Sequence, residues 1–275
     1  MKRVHAIILS VFIFVSFSST AGHAEELIFS THPFSNPTAI HKRFEPLVTY
    51  LSRETGMKIS INVAPTYHAH ITALGTGKAD LGFAGPSPYV RIKDKYGGIE
   101  LLARFRMKND INDKVVILCR RDAPLTTLSD LRGKTFAFGD HQSFGSHFMP
   151  RWLLNQEGIS LNDLTGYDFV KSHDNVILSV LHSDFDGGGV RQDVYEKYKN
   201  RPLRILAGPF AIPPHVLVIR TNVNVIAKEK IRNAVLSLHD REILDRIDKK
   251  LLGFEPVDDE DFDQARTVIR YIESR

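Results

Sequence analysis

"FAFGDHQSFGSHFMPRWLL", residues 136–154, joins a short apolar run to a helical pattern through a polar turn. We expect this turn, which contains Ser143, Gly145 and Ser146, to lie at the carboxyl end of a parallel strand, where the next helix presents free N–H groups. Two hydroxyls beside a glycine that allows close backbone approach suit an anion. Serine at a helix start is also a common N-cap without any ligand, so these residues alone leave both interpretations open.

Strand-like and helix-like segments alternate on both sides of this turn, a pattern typical of an α/β fold with largely parallel sheets. A first series contains "LIFST" (27–31), "KISINVA" (58–64) and "ADLGFAG" (79–85), separated by helical patterns. A second, similar series begins near Leu125 and includes the quoted turn. Two such series predict two lobes, each a mostly parallel sheet flanked by helices, with a cleft between them.

The boundaries of the lobes follow from the same pattern. Lobe 1 is predicted to comprise residues 25–118 and 216–275, and lobe 2 residues 119–215. No linker rich in Pro, Gly or Ser separates the two series, so extended strands near "VVILC" (115–119) and "HVLVIR" (215–220) are expected to cross between the lobes. The helical patterns at the C-terminal end are expected to pack back on lobe 1.

The N-terminal residues predict export. A basic start, an apolar run and small residues before Ala24 are typical of a secretory signal peptide, residues 1–24, cleaved after Ala24. Its loss removes two of 36 basic residues and none of 32 acidic ones, so the net charge becomes 34 − 32, or +2. A nearly balanced surface does not favour nucleic acid or an anionic membrane as partner. Cys119 is the single cysteine, which excludes an internal disulfide.

A catalytic interpretation of the turn competes with the binding one. "HQSFG" (141–145) resembles the G-x-S-x-G nucleophile elbow and also lies between a strand and a helix. Ser143, Asp193 and His215 occur in the order of a Ser-Asp-His esterase triad. However, His141 replaces the first glycine, which relieves crowding in that strained turn, so the esterase is the less favoured alternative.

Other polar residues allow weaker hypotheses. Ser87 and Tyr89 in "GPSPYV" follow a lobe 1 strand, where they are either cleft contacts or a helix-start serine with a packed tyrosine. His68 and His70 are two positions apart, which points them away from each other on a helix. Neither H-E-x-x-H nor a Cys/His cluster occurs, so we expect no metal and no cofactor.

Four segments together resemble the phosphate, phosphite and phosphonate binding-protein family, the exported receptors of ABC importers. Their order and spacing match over residues 27 to about 256. The resemblance implies the two-lobed fold of type II periplasmic binding proteins. The segments are "KADLGFAGPSPYV" (78–90), "FGDHQSFGSHFMP" (138–150), "SHDNVILSVLHSDFDGGGV" (172–190) and "GPFAIPPHVLVIR" (208–220).

The resemblance also implies roles for individual residues. Tyr67 would reach into the cleft from lobe 1, Ser143 would donate to a ligand oxygen, and His173 matches the family's histidine at the next helix start. Asp193 falls where the family can carry an acidic residue that holds a ligand amine. The chain departs from the family's S-T-S-G turn and from its "iPgD" pattern. The replacing residues, which we include in the predicted site, are Phe144, Gly145, Ser146 and His215.

These departures remove hydroxyl donors and exchange a carboxylate for an imidazole. The resemblance therefore implies the fold more strongly than it implies the identity of the ligand. The resemblance implies reversible capture of a small oxyanion in the periplasm by a protein that is not an enzyme. Its partners would be the permease and ATPase of an ABC importer, and the chain would be a monomer. A sensor that passes its ligand-bound form to a membrane kinase is the alternative.

Overall fold

The computed structural model describes residues 26–108 and 113–275, so the predicted signal peptide lies outside the described residues. The first sheet has the order β11-β4-β10-β3-β1-β2. β1 is parallel to β2 and β3, whereas β10 and β11 pair antiparallel with their neighbours. Its strands are β1 (Glu26–Thr31), β2 (Lys58–Val63), β3 (Leu81–Ala84), β4 (Ile99–Met107), β10 (Val216–Arg220) and β11 (Leu251–Glu255).

The second sheet has the order β7-β6-β8-β5-β9. β6 is parallel to β7 and β8, and β5 is antiparallel to β8 and β9. Two sheets in one chain agree with the predicted two-lobed α/β fold, but the prediction of mostly parallel sheets needs correction. Of the nine strand pairings in the described residues, four are parallel and five antiparallel, because β5, β10 and β11 run against their neighbours. The strands are β5 (Lys114–Arg120), β6 (Thr135–Phe138), β7 (Gly166–Phe169), β8 (Gly187–Arg191) and β9 (Leu203–Ala211).

Helices flank both sheets, and a few of them begin at residues that line the space between the lobes, namely Tyr67, Pro86 and His173. Lobe 1 contains α1 (Pro37–Thr55), α2 (Tyr67–Thr76), α3 (Pro86–Tyr96), α7 (Val225–Leu236) and α8 (Arg241–Ile247). Lobe 2 contains a π-helical turn (Phe144–Phe148), α4 (Met149–Gln156), α5 (His173–Leu181) and α6 (Gln192–Tyr198). None of the helices within 26–108 and 113–275 is long and apolar enough to cross a membrane.

The predicted limit of lobe 1 at residue 118 needs correction. It falls inside β5, whose seven residues all belong to the second sheet. The apolar run "VVILC" is fully buried because β5 is flanked by β8 and β9, so it is an interior strand of lobe 2 rather than a crossing segment. The chain leaves the first sheet after Met107 and returns to it between Ala211 and Val216.

The sequence pattern suggested that the last helix, α9 (Asp263–Glu273), packs on lobe 1 alone, but in the structure it contacts both lobes. It packs against α3 of lobe 1 and also against α4 and the π-helical turn of lobe 2. Its apolar face, which includes Val268 and Ile269, joins a hydrophobic cluster that contains residues of both lobes. α7 and α8, in contrast, pack on α1 as expected.

Three consecutive glycines in β8 let neighbouring elements approach the second sheet closely. A methyl group on Gly189 would lie 2.3 Å from Pro150 of α4, and one on Gly188 would lie 2.5 Å from Val176 of α5. Both distances are far shorter than van der Waals contact. The glycines therefore allow α4 and α5 to pack closely on the second sheet.

We expect Gly189→Ala to lower the free energy of unfolding by about 1–3 kcal/mol, because the added methyl group overpacks the contact with Pro150. Gly166→Ala is the matched control: its methyl group would lie 3.7 Å from Thr135, an ordinary contact. Urea unfolding of both variants checks the prediction. Equal stabilities of the two variants would show that β8 does not need its glycines for packing.

Candidate functional site

The quoted turn begins at Ser143, which is the N-cap of the π-helical turn. Its hydroxyl oxygen accepts a hydrogen bond from the Ser146 N–H at 3.2 Å, so the serine does cap the helix. A hydroxyl can accept and donate at once, and the O–H of Ser143 therefore stays free to donate into the cleft. The capping and binding interpretations, which the sequence left open, are compatible in this structure.

A small cavity lies where the two lobes meet at this turn. The space open to the centre of a water-sized sphere is about 10 Å³, which corresponds to about one water molecule. The cavity has a mostly apolar wall from lobe 1 and a polar wall from lobe 2. Lobe 1 contributes His32, Phe34, Tyr67, Gly85, Pro86 and Pro88; lobe 2 contributes Ser143, Phe144, Gly145, His173 and Arg191; and His215 lies just before β10.

Arg191 carries the positive charge of this cavity. It ends β8, its residue is 5% exposed, and its side chain forms an ion pair with Asp193, to which Nε donates at 2.8 Å and Nη2 also donates. Nη1 donates to Nε2 of His215 at 2.9 Å. A guanidinium has five N–H donors, so two remain for a ligand oxygen. The Asp193 ion pair fixes the orientation of these two donors.

The charges of this pair are stabilised mutually. Burial alone would raise the pKa of the Asp193 carboxyl, but Arg191 holds it well below its usual range. Burial alone would lower the pKa of the Arg191 guanidinium, but Asp193 keeps it above the ordinary value. The site thus contains one cation whose charge is balanced by one carboxylate that does not line the cavity.

The two histidines beside Arg191 have defined tautomers. Nδ1 of His173 accepts from the Arg191 backbone N–H at 3.2 Å, so its proton is on Nε2, available as a donor. His215 accepts from Arg191 through Nε2, so its proton is on Nδ1, 3.8 Å from Asp113. Burial, together with Arg191, lowers the pKa of His173 to about 3 and also lowers that of His215. Both imidazoles are neutral near pH 7.

Tyr67 reaches the cavity from the start of α2. Burial is the main cause that raises the pKa of its phenol, whereas the Ser143 hydroxyl in lobe 2 lowers it. Gly145 allows the Arg191 side chain to lie against the turn, since a methyl group there would be 3.1 Å from Arg191 Cγ. Phe144 is buried and lines the cavity with its neighbours, so this departure from the S-T-S-G turn replaces a hydroxyl with packing.

Four of the ten predicted site residues lie off the cavity wall. Asp193 accepts a hydrogen bond from Arg191 on the side of the guanidinium that lies away from the cavity. Ser146 directs its hydroxyl toward Gly139, where a methyl group would lie 2.0 Å from Oγ. Ser87 is buried in the first turn of α3 between two prolines that do line the cavity. Tyr89 donates to Asp259 at 2.5 Å and packs on Phe262, so its cleft role needs correction.

Sequence reasoning missed Arg191, His32 and Phe34 as cavity residues. Arg191 directly follows the glycine-rich strand and precedes Asp193 by two positions, a spacing at which a guanidinium can fold onto a carboxylate. His32 and Phe34 follow the first strand, and the carboxyl end of a parallel strand is where ligands bind. Both signals were present in the sequence, but neither belongs to a segment that carried the resemblance.

The esterase triad is not assembled. Both nitrogens of His215 face Arg191 and Asp113, and Asp193 is paired with Arg191. No hydrogen bond joins Ser143 to His215 in the part of the chain that the structure describes. Residues 26–108 and 113–275 also contain no group of three or more His, Cys, Asp or Glu arranged to hold a metal ion.

We expect Tyr89→Phe to lower the free energy of unfolding by about 1–2 kcal/mol, because it removes a hydrogen bond to a partly exposed carboxylate. Ligand affinity should not change, since Tyr89 connects α3 to the residues before α9 rather than to the cavity. Thermal unfolding and ligand titration of the variant check both parts. A loss of affinity without a loss of stability would mean that Tyr89 contributes to ligand binding.

A comparison with known protein families matches residues 29–262 to the periplasmic substrate-binding proteins of phosphonate ABC transporters. The chain belongs to this family. Its members are binding proteins and not enzymes, which agrees with the dispersed triad. The comparisons give no support to the sensory alternative.

Two curated relatives match part of the chain. The probable ABC transporter phosphite binding protein PhnD1 of Prochlorococcus marinus is 26% identical over 181 residues, which are 62% of this chain and 60% of the relative. The phosphate-import protein PhnD of Mycolicibacterium smegmatis is 24% identical over 193 residues, 62% of this chain and 57% of the relative. The match therefore spans less than two thirds of the length of each.

The fold itself matches over nearly the whole chain. The structure of PhnD1 from Prochlorococcus marinus in complex with methylphosphonate superposes with a TM-score of 0.81 at 20% identity, and covers 91% of this chain and 99% of that chain. The two-lobed type II periplasmic binding protein fold that the sequence predicted is thereby confirmed.

Proposed function

We propose that this protein is the solute receptor of an ABC importer and captures a small phosphorus oxyanion between its lobes. The observation that carries the proposal is the polar wall of the cavity. There the free Ser143 O–H, two unused N–H groups of Arg191 and the Nε2–H of His173 are all donors. Charge-assisted donors in a water-excluded site are the means by which proteins hold oxyanions.

The shape of the cavity supports a narrower ligand class. Its lobe 1 wall includes Phe34, Pro86 and Pro88, which offer a ligand no side-chain hydrogen bond. An oxygen that faces these three residues would be left unsatisfied, at a cost of about 1–3 kcal/mol, whereas an oxygen that faces Tyr67 or His32 in the same wall could form a hydrogen bond. A phosphonate or phosphite presents hydrogen or a small alkyl group to the three residues instead.

The charges around the cavity disfavour a ligand amine. Arg191 and His215 lie beside the cavity, and the Asp193 carboxylate is engaged by Arg191. An ammonium group would have no free carboxylate among the cavity-lining residues to replace its hydration. Aminoalkylphosphonates should therefore bind more weakly than methylphosphonate.

The same proposal includes the setting of the protein. The predicted signal peptide and the periplasmic family support export to the periplasm. The partners would be the permease and the ATPase of the importer, which recognise the ligand-bound form. Monomeric receptor chains suffice for this role.

A thermal-shift screen of residues 25–275 tests the proposal. Methylphosphonate, phosphite, phosphate, sulfate and acetate are compared on the parent and on Ser143→Ala. A micromolar ligand at millimolar concentration adds about 4 kcal/mol of stability. Removal of the Ser143 donor should weaken binding about 10- to 100-fold, as for hydrogen bonds to charged groups.

Ser146→Ala is the matched control, because its hydroxyl lies three positions away and does not line the cavity. It should keep the parent's shift with every anion. A parent shift that Ser146→Ala loses and Ser143→Ala retains would contradict the proposed geometry. A parent that responds only to acetate would contradict the ligand class.

A further inference from the structure

Three surface grooves are lined by residues of both lobes, and two of them differ most in charge. The larger, which we call the basic groove, has a volume of about 720 Å³ and lies between α1 and the α8–β11 segment of lobe 1 and α6 of lobe 2. The other, the cap groove, has a volume of about 500 Å³ and lies at the N-cap residues Asn36, Thr66 and Ser172. Each groove is lined by residues of both lobes.

The two grooves differ in charge. The cap groove contains Lys171 against Asp140 and Asp174, a balance of 1 − 2, or −1. In the basic groove the balance is 7 − 4, or +3. Its cations are Lys42, Arg43, Lys197, Lys199, Arg246, Lys249 and Lys250, and its anions are Asp193, Glu196, Asp245 and Asp248.

Ion pairing increases this difference. Every acidic side chain of the basic groove has a basic partner: the pairs are Asp193 with Arg191, Glu196 with Lys199, Asp245 with Arg241, and Asp248 with Arg43. In the described ranges, five basic side chains of the groove form no ion pair, namely Lys42, Lys197, Arg246, Lys249 and Lys250. The groove therefore presents mostly uncompensated positive charge.

The basic groove is also connected to the cavity wall. Asp193, which lines the groove, holds Arg191, which lines the cavity. Arg43, at the other side of the groove, lies 5.6 Å from the ring centre of Phe34, another cavity residue. Separation of the lobes along this edge would open the cavity directly into the groove. In the cap groove the Ser35 hydroxyl donates to Asp174 across the cleft at 3.2 Å, so a hydrogen bond connects the lobes along that edge.

We propose that the basic groove is the electrostatic entrance through which the anionic solute reaches the cavity. The inference rests on the proposed function. Surface charges of one sign around a cleft raise the local concentration of an oppositely charged solute and increase its association rate by about 10- to 1,000-fold. The exposed lysines act on the approach of the anion, whereas Ser143 and Arg191 determine how long it stays.

The test compares association rates of methylphosphonate, measured by ³¹P exchange spectroscopy on the full chain from residue 25. The groove variant combines three substitutions, Lys42→Glu, Lys197→Glu and Lys249→Glu. All three lysines are exposed, line the basic groove and do not line the binding cavity. The matched control makes the same charge change away from both grooves, at Lys78, Lys95 and Lys230. Thermal unfolding verifies that both variants are folded.

At low ionic strength, where screening extends over about 30 Å, we expect the groove variant to associate about tenfold more slowly than the control, with an unchanged dissociation rate. The difference should disappear at high salt. Equal association rates in the two variants, with the parent binding normally, would overturn the entrance and leave the proposed function intact. A parent that binds no phosphorus oxyanion would overturn the proposed function, and the entrance with it.

Discussion

The combined substitution Arg191→Gln and Asp193→Asn should lower the affinity for a phosphorus oxyanion by about 100-fold. It removes the two guanidinium N–H donors that we propose for the ligand, and truncation of a buried charged contact costs about 2–5 kcal/mol of binding free energy. The double change avoids the main difficulty of the single one. Arg191→Gln alone would leave the Asp193 carboxylate buried without its partner, which costs about 3–5 kcal/mol of stability.

Isothermal titration with methylphosphonate and urea unfolding check this prediction together. We expect the free energy of unfolding of the double variant to lie within about 2 kcal/mol of the parent, because two neutral amides replace a neutralised pair. Unchanged affinity in a folded double variant would mean that Arg191 serves only Asp193 and His215. Equal losses of affinity and stability would mean that the Arg191–Asp193 pair stabilises the fold and does not bind the ligand.

Acid should destabilise the protein strongly below pH 6.5. Burial is the main cause that lowers the pKa of His70 to about 3, that of His147 to about 4 and that of His173 to about 3. Each imidazole is therefore neutral in the native state but binds a proton in the unfolded chain below about pH 6.5. The unfolded state binds more protons, so stability is complete above pH 6.5 and is lost as the pH falls.

The expected size of this effect is about 1.4 kcal/mol per histidine for each pH unit. These three histidines together remove up to about 8 kcal/mol between pH 6.5 and 4.5, which is comparable to the whole stability of an ordinary domain. Burial also lowers the pKa of His32 and of His215, so these two histidines steepen the loss further. Urea unfolding at several pH values measures the slope. His147→Gln should reduce the slope by the share of one histidine, at most about 1.4 kcal/mol per pH unit, whatever it does to stability at pH 7.

His41→Gln is the matched control, because it makes the same change at a histidine that is exposed on α1. A pH profile that is flat between 6.5 and 4.5 would contradict burial of neutral histidines around the cleft. A steep profile that His147→Gln leaves unchanged would assign the acid sensitivity to other groups.

The fold could be predicted because its signals are local. "KISINVA" alternates as a half-buried strand, and Gly56 ends α1 in the left-handed conformation, as the sequence suggested. The lobe limit was misplaced because a fully buried run such as "VVILC" has no periodicity that separates a crossing segment from an interior strand. α9 was assigned to one lobe because a helical pattern shows which face is apolar but not what covers it.

The site could be predicted only in part. Ser143 and His173 begin helices that follow parallel strands, and the position of such residues follows from the order of the elements. The role of Arg191 depends on a contact with Asp193 and a second contact with His215, 24 residues away, and no local pattern specifies that pair. Tyr89 was misplaced for the same reason, since its partner Asp259 is 170 residues distant.

One titration addresses the central claim most directly: methylphosphonate and 2-aminoethylphosphonate, each added to the chain from residue 25 in a calorimeter. The two ligands share the phosphonate group that Ser143, His173 and Arg191 are proposed to hold. They differ in an ammonium group for which the cavity offers no free carboxylate. We predict one site per chain for methylphosphonate and at least about tenfold weaker binding of 2-aminoethylphosphonate, since an unpaired buried cation costs more than about 1.4 kcal/mol. Tighter binding of 2-aminoethylphosphonate, or no binding of either ligand, would contradict a cavity built around Arg191 for a small oxyanion.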